Sequence, residues 1–145
     1  MKDCFTNSSG NGSKFFASFA LLCALCVKPS GALNKYIQDQ NSYVGTWKGT
    51  SICQVKNSPC HDEQVVYYIT KTNVENGLEI KANKIEDGKE DFMGTIQFKY
   101  DPKSKDITST SMPDAIWHLT KKENNLEGTL LQRNQLYRII KLTRS

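Results

Sequence analysis

From residue 43 to the C-terminus, apolar and polar side chains alternate with a period of two, broken at short intervals by turn-forming residues. Successive side chains of an extended chain point to opposite faces, so each alternating segment has one dry side and one wet side. Eight segments read this way: 43–52 (YVGTWKGTSI), 64–72 (QVVYYITKT), 78–84, 91–100 (DFMGTIQFKY), 106–112, 115–121, 126–132 and 135–143. Between them lie Glu86-Asp87-Gly88-Lys89, Asp101-Pro102-Lys103-Ser104-Lys105, Pro113-Asp114, Glu123-Asn124-Asn125 and Arg133-Asn134. These are residue types that tight turns use. No segment combines helical periodicity with capping residues. Short connections let neighbouring strands pair antiparallel in chain order. An open sheet of eight strands leaves two unpaired edges, and closure removes them. The expected fold is therefore all-β, an eight-stranded antiparallel up-and-down barrel over residues 43–145.

The first third has a different character. Lys14 precedes the apolar run 15–27 (FFASFALLCALCV), and Pro29-Ser30-Gly31-Ala32 follows. A basic flank, a short apolar stretch and small residues at a cut site make a secretory signal. Residues 1–32 read as a signal peptide helix cleaved after Ala32, and residues 33–42 as a short polar N-terminal arm. The run is shorter than the roughly 20 residues needed to span a bilayer, so no stable membrane insertion is expected after cleavage. Leu22 and Leu25 precede Cys23 and Cys26, unlike the small residue before a lipoprotein cysteine.

The cysteines agree with export. Cleavage removes Cys4, Cys23 and Cys26 of the five and leaves Cys53 and Cys60. Two nearby cysteines in an exported domain ordinarily oxidise to a disulfide. The rival reading, a nucleophilic Cys60 beside His61, requires a reducing compartment. The expected location is secreted or periplasmic.

Charge excludes some partners. The formal net charge is +4, and loss of Lys2, Asp3, Lys14 and Lys28 with the leader lowers it to about +2. Lysines and arginines are scattered among acids with no basic block, so no nucleic-acid partner is expected. Cys60-His61-Asp62-Glu63 places four reactive types in a row, but neighbours on an extended chain face opposite ways. Asp62 and Glu63 read as a solvated loop end. His118, beside Trp117 on the opposite parity, reads as a surface residue. Two histidines without metal-ligand spacing, and no phosphate loop or nucleophile elbow, leave no catalytic residue, metal or cofactor to nominate.

Gly45-Thr46-Trp47 on the first strand, after a short arm, resembles the signature of lipocalins and the wider calycin superfamily. The resemblance implies a lipocalin-like barrel in which Trp47 plugs one end. It also implies an arginine of the last strand packed over that ring. Antiparallel pairing of first and last strands nominates Arg144, with Arg138 as the alternative. The domain is more compact than a typical lipocalin and lacks its C-terminal helix. Avidin, another small barrel with an early Gly-x-Trp, is not implied, because its pattern of paired tryptophans and polar ligand contacts is missing.

Strand parity assigns an inner face to Trp47, Tyr67, Ile69, Leu78, Ile80, Phe92, Phe98, Tyr100, Trp117, Leu130, Leu136, Ile140 and Leu142. An eight-stranded barrel either fills with side chains or holds one small ligand. Gly94 and Gly128, with Ala82 and Ala115, either leave room inside or mark bends. Arg138 shares the inner parity, and a buried cation needs a partner. A ligand carboxylate, an internal Asp or Glu, or an aromatic face would each serve. The sequence thus points to a non-enzymatic carrier of a small apolar or amphiphilic ligand, with Tyr67, Ile80, Phe98, Trp117 and Arg138 as ligand contacts. The alternative is a structural or protein-interaction barrel with a filled core and no ligand.

Overall fold

The computed structural model describes residues 39–145; the 1–32 leader, its cleavage site and most of the 33–42 arm lie outside them. Eight strands follow in order: β1 (Gly45–Cys53), β2 (Glu63–Lys71), β3 (Gly77–Glu86), β4 (Lys89–Tyr100), β5 (Asp106–Ser109), β6 (Ala115–Lys122), β7 (Asn125–Gln132) and β8 (Gln135–Arg144). They form a closed antiparallel barrel in chain order, β1 to β8. Closure runs through β1 and β8, from Trp47 opposite Arg144 to Cys53 opposite Arg138.

The hairpins follow from their turn residues. Asp87 and Gly88 take φ of 51° and 75° between β3 and β4, and Arg133 and Asn134 take 49° and 64° between β7 and β8. Two successive positive φ values give a turn whose twist matches the flanking strands.

Inner-face parity holds along most of the barrel, with Trp47, Tyr67, Leu78, Ile80 and Ile140 all at most 1% exposed. Burying each Trp or Tyr removes roughly 150–250 Å² from water. At about 25 cal/mol per Å² that is worth several kcal/mol. Two residues expected inside are outside. Phe92 is 59% exposed and Leu136 is 41% exposed. Each lies just past a bulge. The β3–β4 register shifts between Ala82 and Asn83, so that Gly94 faces Ala82, Phe92 faces Asn83, and Met93 is the extra residue. The β7–β8 register shifts between Leu130 and Leu131, so that Arg138 faces Leu130, Leu136 faces Leu131, and Tyr137 is extra. One inserted residue reverses the parity of everything beyond it. Phe92 therefore lies on the outer wall beneath the Lys81 ammonium, 5.6 Å from its ring centre.

The fifth strand is shorter than its sequence pattern, four residues ending at Ser109. It pairs with β4 only from Phe98 to Tyr100. Before Phe98, β4 has no β5 partner; Thr110 and Ser111, just past β5, hydrogen-bond to Gln97 instead.

Candidate functional site

The two barrel ends differ. At one end the chain before β1 folds across the opening. Residues 39–41 form a single helical turn, and the Gln40 amide donates to the Gly77 carbonyl (3.1 Å). Tyr43 is buried against Tyr100, with ring centres 6.0 Å apart. Its hydroxyl donates to the Lys105 carbonyl (2.6 Å) and accepts from the Lys121 amide (3.0 Å). Burial pushes its pKa up to about 12. The Trp47 indole donates to the Tyr43 carbonyl (2.7 Å). The Arg144 guanidinium carbon stands 4.8 Å from the Trp47 ring centre, and its Nη2 donates to the Val44 carbonyl (3.1 Å) and to that of Ser42. Gly45 has a φ of +136°, in the half of backbone space that side chains disfavour. That φ accounts for glycine two residues before Trp47, since a Cβ there would make only an ordinary contact with the Arg144 guanidinium, 3.5 Å away. The same pairing decides between the two arginines nominated for the tryptophan.

The other end holds a cavity of about 250 Å³, open to solvent. On one wall Ser51 (β1), Glu63 and Tyr67 (β2) and Arg138 (β8) line it. The lining continues through Ala82 of β3, which pairs with Tyr67, to Gly94, Thr95 and Ile96 of β4, and includes Trp117 of β6 and the more exposed Met93 and Met112. Met93 of β4 and Met112 after β5 both lie outside the β4–β5 pairing, which spans only Phe98 to Tyr100. Met93 and Met112 are each 40% exposed. A Cβ on Gly94 would meet nothing within 4 Å, so that glycine leaves room, whereas one on Gly128 would collide with the His118 carbonyl and close the gap between β6 and β7.

Arg138 has an internal partner. Its Nη1 stands 3.0 Å from Glu63 Oε2, and only 11% of the arginine side chain and 16% of the glutamate's is exposed. The same nitrogen donates to Ser51 O and Oγ (3.2 Å each) and to the His61 carbonyl (3.3 Å). Glu63, read from sequence as part of a solvated loop end, instead begins β2 and turns inward. Asp62 stays outside and accepts a hydrogen bond from the Cys53 amide (2.9 Å). Cys53 and Cys60 are joined by a disulfide with Cα atoms 5.9 Å apart, a linkage at home in oxidising compartments. It closes the loop that delivers Glu63 to the cavity wall.

Tyr67 packs edge-on against Trp117, with ring centres 6.0 Å apart. Its hydroxyl is buried and has no hydrogen-bond partner. Burial pushes its pKa up, a rise opposed by the Arg138 charge and reinforced by Glu63. The phenol is therefore a neutral donor at ordinary pH. Of the ligand contacts expected from sequence, Tyr67, Trp117 and Arg138 come together on the cavity. Ile80 and Phe98, 1% and 2% exposed, are not among its lining residues and fill the barrel below it. Glu63, Met93 and Met112 were not foreseen as lining residues. For Glu63 the available signal was its parity with Val65 and Tyr67.

His118 lies outside, its Nε2 3.2 Å from Asp106. Among the described residues no three His, Cys, Asp or Glu side chains converge as a metal site requires. No family model matches the chain, and no curated protein matches it.

Proposed function

We propose that this protein is an exported, lipocalin-like carrier without catalytic activity that holds one small apolar or amphiphilic molecule in the open half of its barrel. The cavity carries this reading: about 250 Å³, largely apolar, and open at the end opposite the Trp47 plug. Ligand sites are concave and mostly apolar with a few placed polar groups, and range from about 300 Å³ upward. A cavity of roughly 150 Å³ holds benzene. The volume thus suits one ring with a short substituent, and a long acyl chain would protrude. Two adaptable methionines at the opening suit a site that must admit and release its occupant. The Gly45–Trp47–Arg144 arrangement supports calycin kinship. The disulfide and the 1–32 leader pattern support secretion or a periplasmic location, and the scattered charge favours no nucleic-acid partner.

The test is titration of the oxidised domain with toluene and with a solvatochromic dye of similar ring size, alongside Ala82→Leu. Ala82 is 3% exposed and lines the cavity. Its enlargement fills the volume from β3 and leaves the Glu63–Arg138 pair in place. Saturable binding lost in Ala82→Leu, with the thermal midpoint unchanged or raised, is the expected result. No binding by either probe refutes the carrier reading and leaves the filled-barrel alternative.

A further inference from the structure

We infer that the cavity selects an uncharged polar head group, a hydroxyl or an amide attached to a single ring, and rejects both carboxylates and amines. This rests on the cavity being a binding site, and concerns which chemistry it takes. Among the described residues the only charged side chains lining it are Arg138 and Glu63, and they are 3.0 Å apart and mostly shielded from solvent. The wall is therefore electrically neutral before anything enters. Nη1 of the arginine already serves Glu63, Ser51 and the His61 carbonyl. A carboxylate arriving beside Glu63 would leave one negative charge uncompensated against a mostly apolar lining. An ammonium beside Arg138 would do the same with opposite sign. Charge buried without a partner is far more expensive than a buried dipole that is hydrogen-bonded.

What the wall leaves unmet is one donor. The Tyr67 hydroxyl, on the strand that carries Glu63, is buried without a partner, and an unmade hydrogen bond of this kind is costly. A ligand oxygen can accept from it. The Glu63 carboxylate lines the same cavity and has lone pairs beyond the one that meets Arg138, so it would accept from a donor on the ligand. Hydroxyl and amide groups offer both functions without net charge.

Five probes sharing one ring separate the possibilities: toluene, 2-phenylethanol, phenylacetamide, phenylacetate and 2-phenylethylammonium, titrated into the oxidised protein near pH 7. The alcohol and the amide are expected to bind at least as tightly as toluene, with both charged probes at least tenfold weaker. Tyr67→Phe should weaken the alcohol and amide roughly three- to tenfold and leave toluene unchanged, the effect of one hydrogen bond. Glu63→Gln frees the arginine charge and should raise phenylacetate affinity at least tenfold. If toluene binds and phenylacetate or the amine matches the amide in the unmodified protein, the inference is overturned while the binding cup stands. If none of the five binds, both fall. The ratios in the unmodified protein decide the matter even where a variant fails to fold.

Discussion

Glu63 and Arg138 come from strands that flank β1 on either side, yet their side chains meet 3.0 Å apart beneath the Cys53–Cys60 loop. β1 separates the two backbones, and Ser51, near its C-terminal end, is hydrogen-bonded to the arginine through both its carbonyl and its hydroxyl. The pair links three strands at the open end of the barrel.

Removal of one partner leaves the other charged and shielded, at a cost of about 3–5 kcal/mol for a fully buried pair. The residual exposure of both side chains places this one at or below the lower end. Glu63→Leu and Arg138→Met are each expected to lower unfolding stability by about 2–3 kcal/mol, and the double variant by much less than their sum. Urea melts of the four proteins measure this coupling. Additive losses would show that the contact is of no consequence.

At the closed end, Arg144 contributes a cation over the Trp47 ring and a fork to two carbonyls. An exposed cation–π contact is worth about 0.5–1 kcal/mol, and the hydrogen bonds add to it. Arg144→Ala should cost about 1–2 kcal/mol, and Arg144→Lys should recover less than half, because an ammonium lacks the planar fork. Trp47→Ala should cost about 3–5 kcal/mol. Equal stability of the lysine variant and the parent would remove the fork from this account.

Tyr43 ties stability to alkaline pH. Burial holds its folded pKa at about 12, above the ordinary phenol value near 10. Between those two values the unfolded chain gives up a proton that the folded one keeps, so rising pH favours unfolding. Below pH 10 the group makes no difference. Denaturation midpoints should fall from pH 10 to 12, and Tyr43→Phe should flatten that fall. Burial raises Tyr67 and Tyr100 too, so the slope does not vanish. A slope unchanged in Tyr43→Phe would assign the effect elsewhere.

The bulge in β4 makes two phenylalanines of the same strand and the same parity unequal. Phe98 is 2% exposed and Phe92 59%. Phe98→Ala should cost about 3–5 kcal/mol, whereas Phe92→Ala should fall within about 1 kcal/mol, the scale of an exposed cation–π contact with Lys81. Comparable losses at both positions would mean that the parity runs unbroken.

The strands, their order and the closed barrel were legible in the amino-acid order because they depend on neighbours one or two residues apart. Alternation sets the buried face, and Asp87-Gly88 and Arg133-Asn134 set tight hairpins. The nearness of Cys53 and Cys60 sets their bond. Tertiary structure alone decided the rest. Whether a strand carries an extra residue depends on its partner's register, so the parity of Phe92 and Leu136 could not be read from their own segments. The inward face of Glu63 follows from its parity with Val65 and Tyr67, but its partner Arg138 is far away along the chain and is reached only when β8 closes on β1. The cavity is lined from β1, β2, β3, β4, β6 and β8, which surround a common space only once the sheet has closed, so no single strand encodes it.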